Sequence, residues 1–261
     1  MNYEAVDEWS VVPLFRDLHT AYQARLAGSA PDWTPLPVSY SDYAAWSTER
    51  LAAVRDRQLA FWQARLSDVD WTVTSTDPTA DFVPLTLPPD LHVAIDELAN
   101  RTGTSMFMVL QAALATVLGG EVPIGTLVAG RDDEQLTDLV GCFFNTIVLR
   151  TRAHESFEET LAEIRENNLD ALDNQDLPYS ELADRAPRVM LIHHEQATLA
   201  TTDIEAVPTG TSTSDLTLAF YEPPAGHPVH CYLHYRTATH TREAAERMAD
   251  TLLETLKEHT R

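Results

Sequence analysis

The stretch VGCFFNTIVLR, Val140 to Arg150, is an apolar run with one amide set inside it and an arginine at its end. β-Branched and aromatic residues of this kind favour a strand. An unpaired amide there would cost about 1–3 kcal/mol, so Asn145 is expected to hold a loop or face a ligand. Upstream, Pro123 to Val128 reads as a second strand, joined to the first through the charged turn GRDDEQ. Downstream, Ser156 and Glu159 have capping-box spacing ahead of an expected helix from Phe157 to Leu172. Further strands are expected over Arg188–His193, Asp215–Phe220 and Val229–Tyr235, and a closing amphipathic helix over Arg242–Glu258.

The first third reads differently. Helical spacing of Val12, Leu14, Phe15, Leu18 and Tyr22 predicts a helix from Ser10 to Leu26, ended by Gly28. A longer helix is expected from Ser39 to Leu66, capped by Ser41 or Asp42, with Tyr43, Trp46, Leu51, Val54, Leu59 and Trp62 as its stripe. After an Asp- and Thr-rich connector, Asp68 to Asp81, come a strand (Phe82–Leu87) and two helices (Pro89–Arg101 and Ser105–Leu118). The second of these is apolar nearly all round and is expected to be buried. Helices and strands mix without strict alternation and without a repeat, which predicts an α/β sandwich with a mixed sheet.

Composition excludes some functions. The chain has 261 residues, 44% of them hydrophobic, and a net charge of −22. That charge argues against nucleic acid and against anionic membranes, both of which need a Lys/Arg surface. It fits simple solubility, or a basic protein partner. The two cysteines, Cys142 and Cys231, fall in strand-like runs, and buried free thiols are expected rather than a disulfide. No CxxC or HExxH spacing suggests a metal. MNYEAVDEWS lacks the form of a signal peptide, and no apolar run is long enough for a bilayer, so the expected location is the cytoplasm. The pair His193-His194 suggests a general base or a metal site, but adjacent strand residues point to opposite faces, which favours a structural role.

Four segments, taken in order, resemble the core motifs of the condensation domains of nonribosomal peptide synthetases. MNYEAVDEWS resembles MHHxxSDGWS, YSDYAAW resembles YxDYAxW, VGCFFNTIVLR resembles (I/V)GxFVNTxxxR, and NQDLPYS resembles (H/N)QDxPFE. FWQARLSD, SMFMVLQAALATVL and AGR look like the family too. The resemblance implies a chloramphenicol-acetyltransferase-like α/β fold, with a mixed sheet flanked by helices. It divides the chain into a helical remnant of a first lobe (1–67), a crossover (68–81) and a second lobe (82–261). It also marks Asp7, Trp9, Arg131, Asn145, Arg150, Gln175, Asp176 and Pro178 as motif residues of structural importance, with Arg131 as the expected partner of Asp7.

The first motif departs from the family pattern. Its histidine positions fall on Asn2 and Tyr3, its aspartate on Asp7 and its glycine on Glu8. In the family the second histidine acts as base or positioning group at the acceptor amine. A tyrosine with a pKa of about 10 does not accept a proton at neutral pH as imidazole does. No catalytic residue is therefore expected, and the resemblance implies a recruitment module like the X domain of glycopeptide synthetases or the interface domains paired with hydroxylases. The expected partners are a tailoring oxygenase, a carrier domain or the absent first lobe, with self-association as a further outcome. No cofactor is expected; a carrier domain would bring phosphopantetheine. A second reading is a condensation or epimerisation half-domain, an amide-forming acyltransferase if active, that takes a histidine from elsewhere. A third is a decayed fragment.

Overall fold

The computed structural model of the chain describes residues 5–69, 75–183, 186–195, 198–199, 202–203, 209–224 and 226–260. Two helices lead, α1 (Val11–Leu26) and α2 (Tyr40–Arg65), followed by β1 (Ala80–Leu87), α3 (Pro89–Thr102), α4 (Met106–Leu118), β2 (Glu121–Val128), β3 (Asn145–Arg152) and α5 (Phe157–Leu172). Then come β4 (Val189–Glu195), the two-residue strands β5 (Thr198–Leu199) and β6 (Thr202–Asp203), β7 (Leu216–Glu222), β8 (Val229–Arg236) and α6 (Arg242–His259).

Six strands form one sheet in the order β1-β8-β7-β4-β2-β3, while β5 and β6 pair with each other. The β1–β8, β8–β7 and β2–β3 pairs are antiparallel, and β7–β4 and β4–β2 are parallel. The sheet is thus mixed, with helices packed on it, as the motifs imply. In β7 and β8 the pleat alternation puts Leu218, Phe220, Cys231 and Leu233 into the core with Ile95, Leu110, Leu161 and Leu252 of α3, α4, α5 and α6. The alternate residues Tyr221, Tyr232 and His234 are only partly buried and occupy the other face.

α4 earns its central place by composition. It has no charged residue, Ser105 caps it through Met108 N, and a continuous run from Val109 to Ala115 is buried. Its one buried amide, Gln111, donates to Thr151 Oγ1 at 2.7 Å and accepts from Asn168 Nδ2 at 2.7 Å, tying α4 to β3 and α5. An amide can sit there because its partners replace water.

Several boundaries differ from the sequence expectation, among them the starts of α2, β3, β1 and β2 and the ends of β4 and β7. α2 is capped by Ser39 rather than Ser41 or Asp42; Asp42 instead closes the capping box from the N3 position. The capping box needs its acceptor one residue before the first helical turn, and the spacing Ser39-Asp42 supplies it. β3 begins at Asn145, not Cys142, because Cys142 and Phe143 are claimed by contacts to α2 and to the loop before α1. β1 begins at Ala80, so the connector's last two residues belong to the sheet; residues 70–74 of that connector lie outside those described.

Candidate functional site: the loop before α1 and the segments that hold it

Asp7 has no exposed side-chain surface, yet it is fully hydrogen-bonded. Its Oδ1 accepts from Ser10 N at 2.8 Å, Ser10 Oγ at 2.7 Å and Arg131 Nη2 at 2.9 Å, and its Oδ2 accepts from Phe143 N at 3.1 Å. Arg131 also donates through Nη1 to the carbonyls of Leu136 (2.6 Å) and Leu139 (2.9 Å), and lies 4.0 Å over the Phe143 ring. A buried carboxylate is tolerated only with this degree of pairing. The latch joins residues far apart in sequence, which spacing alone cannot reveal.

Two glycines make the latch possible. Gly130 sits at φ 66°, and an added Cβ would run into the Phe143 carbonyl oxygen. At Gly141 an added Cβ would run into the Tyr40 ring. That close approach lets Tyr40 Oη donate to the Cys142 carbonyl at 2.7 Å and brings Tyr43 to 4.5 Å from Phe143, ring centre to ring centre. YSDYAAW therefore serves as a helix start and as packing for the VGCFFN segment at once. Trp9 lies half-buried on the same loop.

Asn145 closes the other side. Its Nδ2 donates to the carbonyls of Gln175 (2.8 Å) and Leu177 (2.7 Å), and its Oδ1 accepts from Thr146 N (2.9 Å) and Tyr179 N (3.1 Å). The amide clamps the turn NQDLPYS to the start of β3. α2 reads the same turn: Asp176 accepts from Arg50 Nε at 2.5 Å and Gln58 Nε2 at 2.9 Å, and Trp62 Nε1 donates to the Asn174 carbonyl at 2.8 Å. Burial alone would push the Asp176 carboxyl up, but the bonds from Arg50 and Gln58 outweigh it and hold its pKa below the ordinary value. Gln175 Nε2 reaches Asp132 at 3.4 Å, and Pro178 leads into a single 3-10 turn, Tyr179–Glu181. Arg150 lies apart from this group: it bonds Asp68 (2.6 Å), the Arg65 carbonyl (2.9 Å) and Glu121 (2.6 Å), fastening the end of α2 to β3. Asn2 and Tyr3, at the histidine positions of the first motif, lie outside the described residues.

The two histidines of β4 do part, one to each face. His193 stacks on Phe220 at 4.7 Å and meets Glu222 at 3.1 Å. His194 stacks on Tyr221 at 4.6 Å, and its Nδ1 lies 2.7 Å from both carboxylate oxygens of Glu8. This contact is absent from the sequence reading. Its one signal was a charged residue, Glu8, at a motif position that ordinarily holds glycine. Burial, and then the nearby His194, hold the His234 imidazole below its ordinary pKa. Among the described residues, no group of three or more His, Cys, Asp or Glu is placed to hold a metal ion, and no helix is long and apolar enough to cross a membrane.

The chain matches the condensation-domain family over residues 5–261. A dimodular nonribosomal peptide synthase of Bacillus subtilis (strain 168) is 38% identical over 296 aligned residues, taking in 96% of this chain and 12% of that protein. The X-domain from teicoplanin biosynthesis superimposes with a TM-score of 0.86 at 25% identity, covering 100% of this chain and 68% of that one. The complex of the X-domain and OxyB from teicoplanin biosynthesis gives 0.84 at 26%, covering 100% and 66%.

Proposed function

The chain belongs to the condensation-domain family, and from that premise we propose that it is a cytoplasmic, non-catalytic module of nonribosomal peptide biosynthesis that docks a partner protein. The observation that carries this reading is a contrast within one sequence motif. The latch that Asp7 and Ser10 form with Arg131 and Phe143 is complete, while the proton-accepting position of the motif, four residues before Asp7, is Tyr3. A scaffold kept without its base suits recognition. The likeness to an X-domain, and to one in complex with OxyB, supports a tailoring oxygenase as the partner; a carrier domain bearing phosphopantetheine is the other candidate. In this reading residues 1–67 are the end of a first lobe, 68–81 the crossover and 82–261 the second lobe. The module needs no cofactor of its own.

The test has two arms. Carrier-loaded aminoacyl groups should yield no amide product by mass spectrometry; turnover of roughly 1 s⁻¹ or more sinks the reading. Oxygenases and carrier domains encoded nearby should be retained on the immobilised chain at low salt. If the net charge of −22 steers them, association should slow between 0.1 and 1 M salt, as the Debye length falls from about 10 to about 3 Å. Retention of none of them favours the decayed-fragment reading.

A second reading, a half-domain acting on phosphopantetheine-tethered substrates, is favoured by one observation. It needs a histidine from elsewhere, and His194 stands against Glu8 of the first motif.

A further inference from the structure

We infer that the exposed aromatic start of α2 and the acidic turn beside it form one docking surface, whose occupant is a partner protein presenting a basic amphipathic segment. The inference rests on the docking reading above and names the surface and the chemistry that reading leaves open.

The surface is assembled from segments far apart in the chain. Tyr40, Tyr43 and Trp46 follow one another along the first turns of α2, with successive ring centres 5.9 and 6.0 Å apart. Tyr40 is 39% exposed and Trp46 49%. Trp and Tyr are side chains in which protein interfaces concentrate their binding energy. These rings are also fixed in place. Tyr40 and Tyr43 rest on Phe143, at 5.1 and 4.5 Å between ring centres, and Phe143 is buried with Leu136 and Leu139. A surface already ordered loses little side-chain freedom when it binds.

The turn GRDDEQ supplies the charge. Its far end is anchored, because Leu136 and Leu139 are buried and Arg131 donates to both of their carbonyls. Asp132, Asp133 and Glu134 are exposed, and among the described residues no cationic side chain pairs with them, whereas nearby Asp138 and Asp176 have Arg16 and Arg50. A chain of contacts joins the turn to the rings. Gln175 Nε2 donates to Asp132 Oδ2 at 3.4 Å, the adjacent Asp176 holds Arg50, and the Arg50 guanidinium lies 5.5 Å from the centre of the Trp46 ring. Burial above all raises the pKa of the Tyr43 hydroxyl, with the charge of Asp132 among the lesser causes, so this carboxylate is felt at the rings.

This pairing of π faces with unpaired carboxylates selects its occupant. An arginine or lysine of the partner can lie on a ring and donate to Asp132, Asp133 or Glu134 at once, while apolar side chains between them cover Trp46 and Tyr40. An acidic segment would meet like charge. So would a second copy of this chain, whose net charge is also −22. The occupant is therefore a different, basic chain.

The test uses the whole chain and a fluorescein-labelled peptide carrying Arg and Leu at amphipathic helical spacing, with binding read by anisotropy at low salt. The Arg peptide should bind, and the same peptide with Glu for Arg should not. Trp46→Ala should weaken the Arg peptide by about tenfold or more. The turn variant Asp132→Asn/Asp133→Asn/Glu134→Gln should weaken it as well. Exchanging three exposed carboxylates of α6, Asp250→Asn/Glu254→Gln/Glu258→Gln, changes the net charge equally and should leave affinity nearly unchanged. Thermal melts check that each variant folds. The inference is overturned if the Arg peptide does not bind, if folded Trp46→Ala or the turn variant binds it as the native chain does, or if the α6 variant loses as much as the turn variant. The docking reading is judged separately, by whether the chain retains the oxygenases or carrier domains encoded nearby.

Discussion

Asn145 makes four hydrogen bonds with one side-chain amide, and each bond is to a main-chain group. Removing it strands the carbonyls of Gln175 and Leu177 and the Tyr179 N–H together. Asn145→Ala should cost about 1–3 kcal/mol, read as a lower urea midpoint and a lower Tm. Asn145→Asp should cost more, since a carboxylate facing two carbonyls is repelled where the amide donated. An unchanged midpoint for Asn145→Ala would show that water replaces the amide. At this scale the sequence was only half legible. An amide in an apolar run announces that it has partners, but those partners lie across a helix and a turn, where no spacing rule reaches. The same holds for Glu8 and His194, which are brought together by the sheet.

Elements were more legible than contacts, because a helix or strand is written in local periodicity. α5 and its Ser156 cap fall where the pattern puts them, and α4 is buried as its apolar composition predicts. The misplaced start of β3 has a tertiary cause: Cys142 looks like strand sequence, yet its carbonyl is held by Tyr40. The cysteines also provide a check on β8. Cys231 is 1% exposed, and burial pushes its thiol up from an ordinary 9.0 to about 12. A neutral thiol is the form the core accepts, so its contribution to stability is intact below pH 9 and is lost as pH rises from about 9 toward about 12. Urea midpoints measured across this window should fall more steeply for the native chain than for Cys231→Val, which has no proton to lose. Equal slopes would mean that Cys231 ionises freely in the fold.

For the molecule as a whole, the distribution of exposed apolar surface matters more than its amount. Among the described residues, nine of the twelve exposed large hydrophobic side chains lie between Val12 and Trp46, including Phe15, Leu18 and Tyr22 along α1. Apolar surface concentrated in this way favours association over solvation. The isolated chain should therefore self-associate as concentration rises in high salt, where the charge of −22 no longer holds copies apart. Light scattering should show the change, and Leu18→Glu with Tyr22→Glu should abolish it while leaving the Tm nearly unchanged, since both side chains are already in water. A native chain that stays monomeric at high salt would count against an apolar docking face there. The stripe on α1 is legible as helical periodicity; its exposure is legible only through the family resemblance, which lacks the lobe that would cover it, because periodicity tells which face is apolar and not what lies against it.

The sheet is completed late. β1 has one strand partner in the sheet, β8, and the register runs from Ala80 against Arg236 to Leu87 against Val229. As the chain is synthesised, Val83, Leu85 and Leu87 emerge long before the residues that will bury them. Contacts between distant parts of a chain slow folding, because a large loop must close before any pairing rewards it. During that interval β1 is an unpaired apolar edge, the kind of segment that aggregates or recruits a chaperone. Yield from a cell should consequently depend more on how fast β8 and α6 are delivered than on how stable the finished fold is.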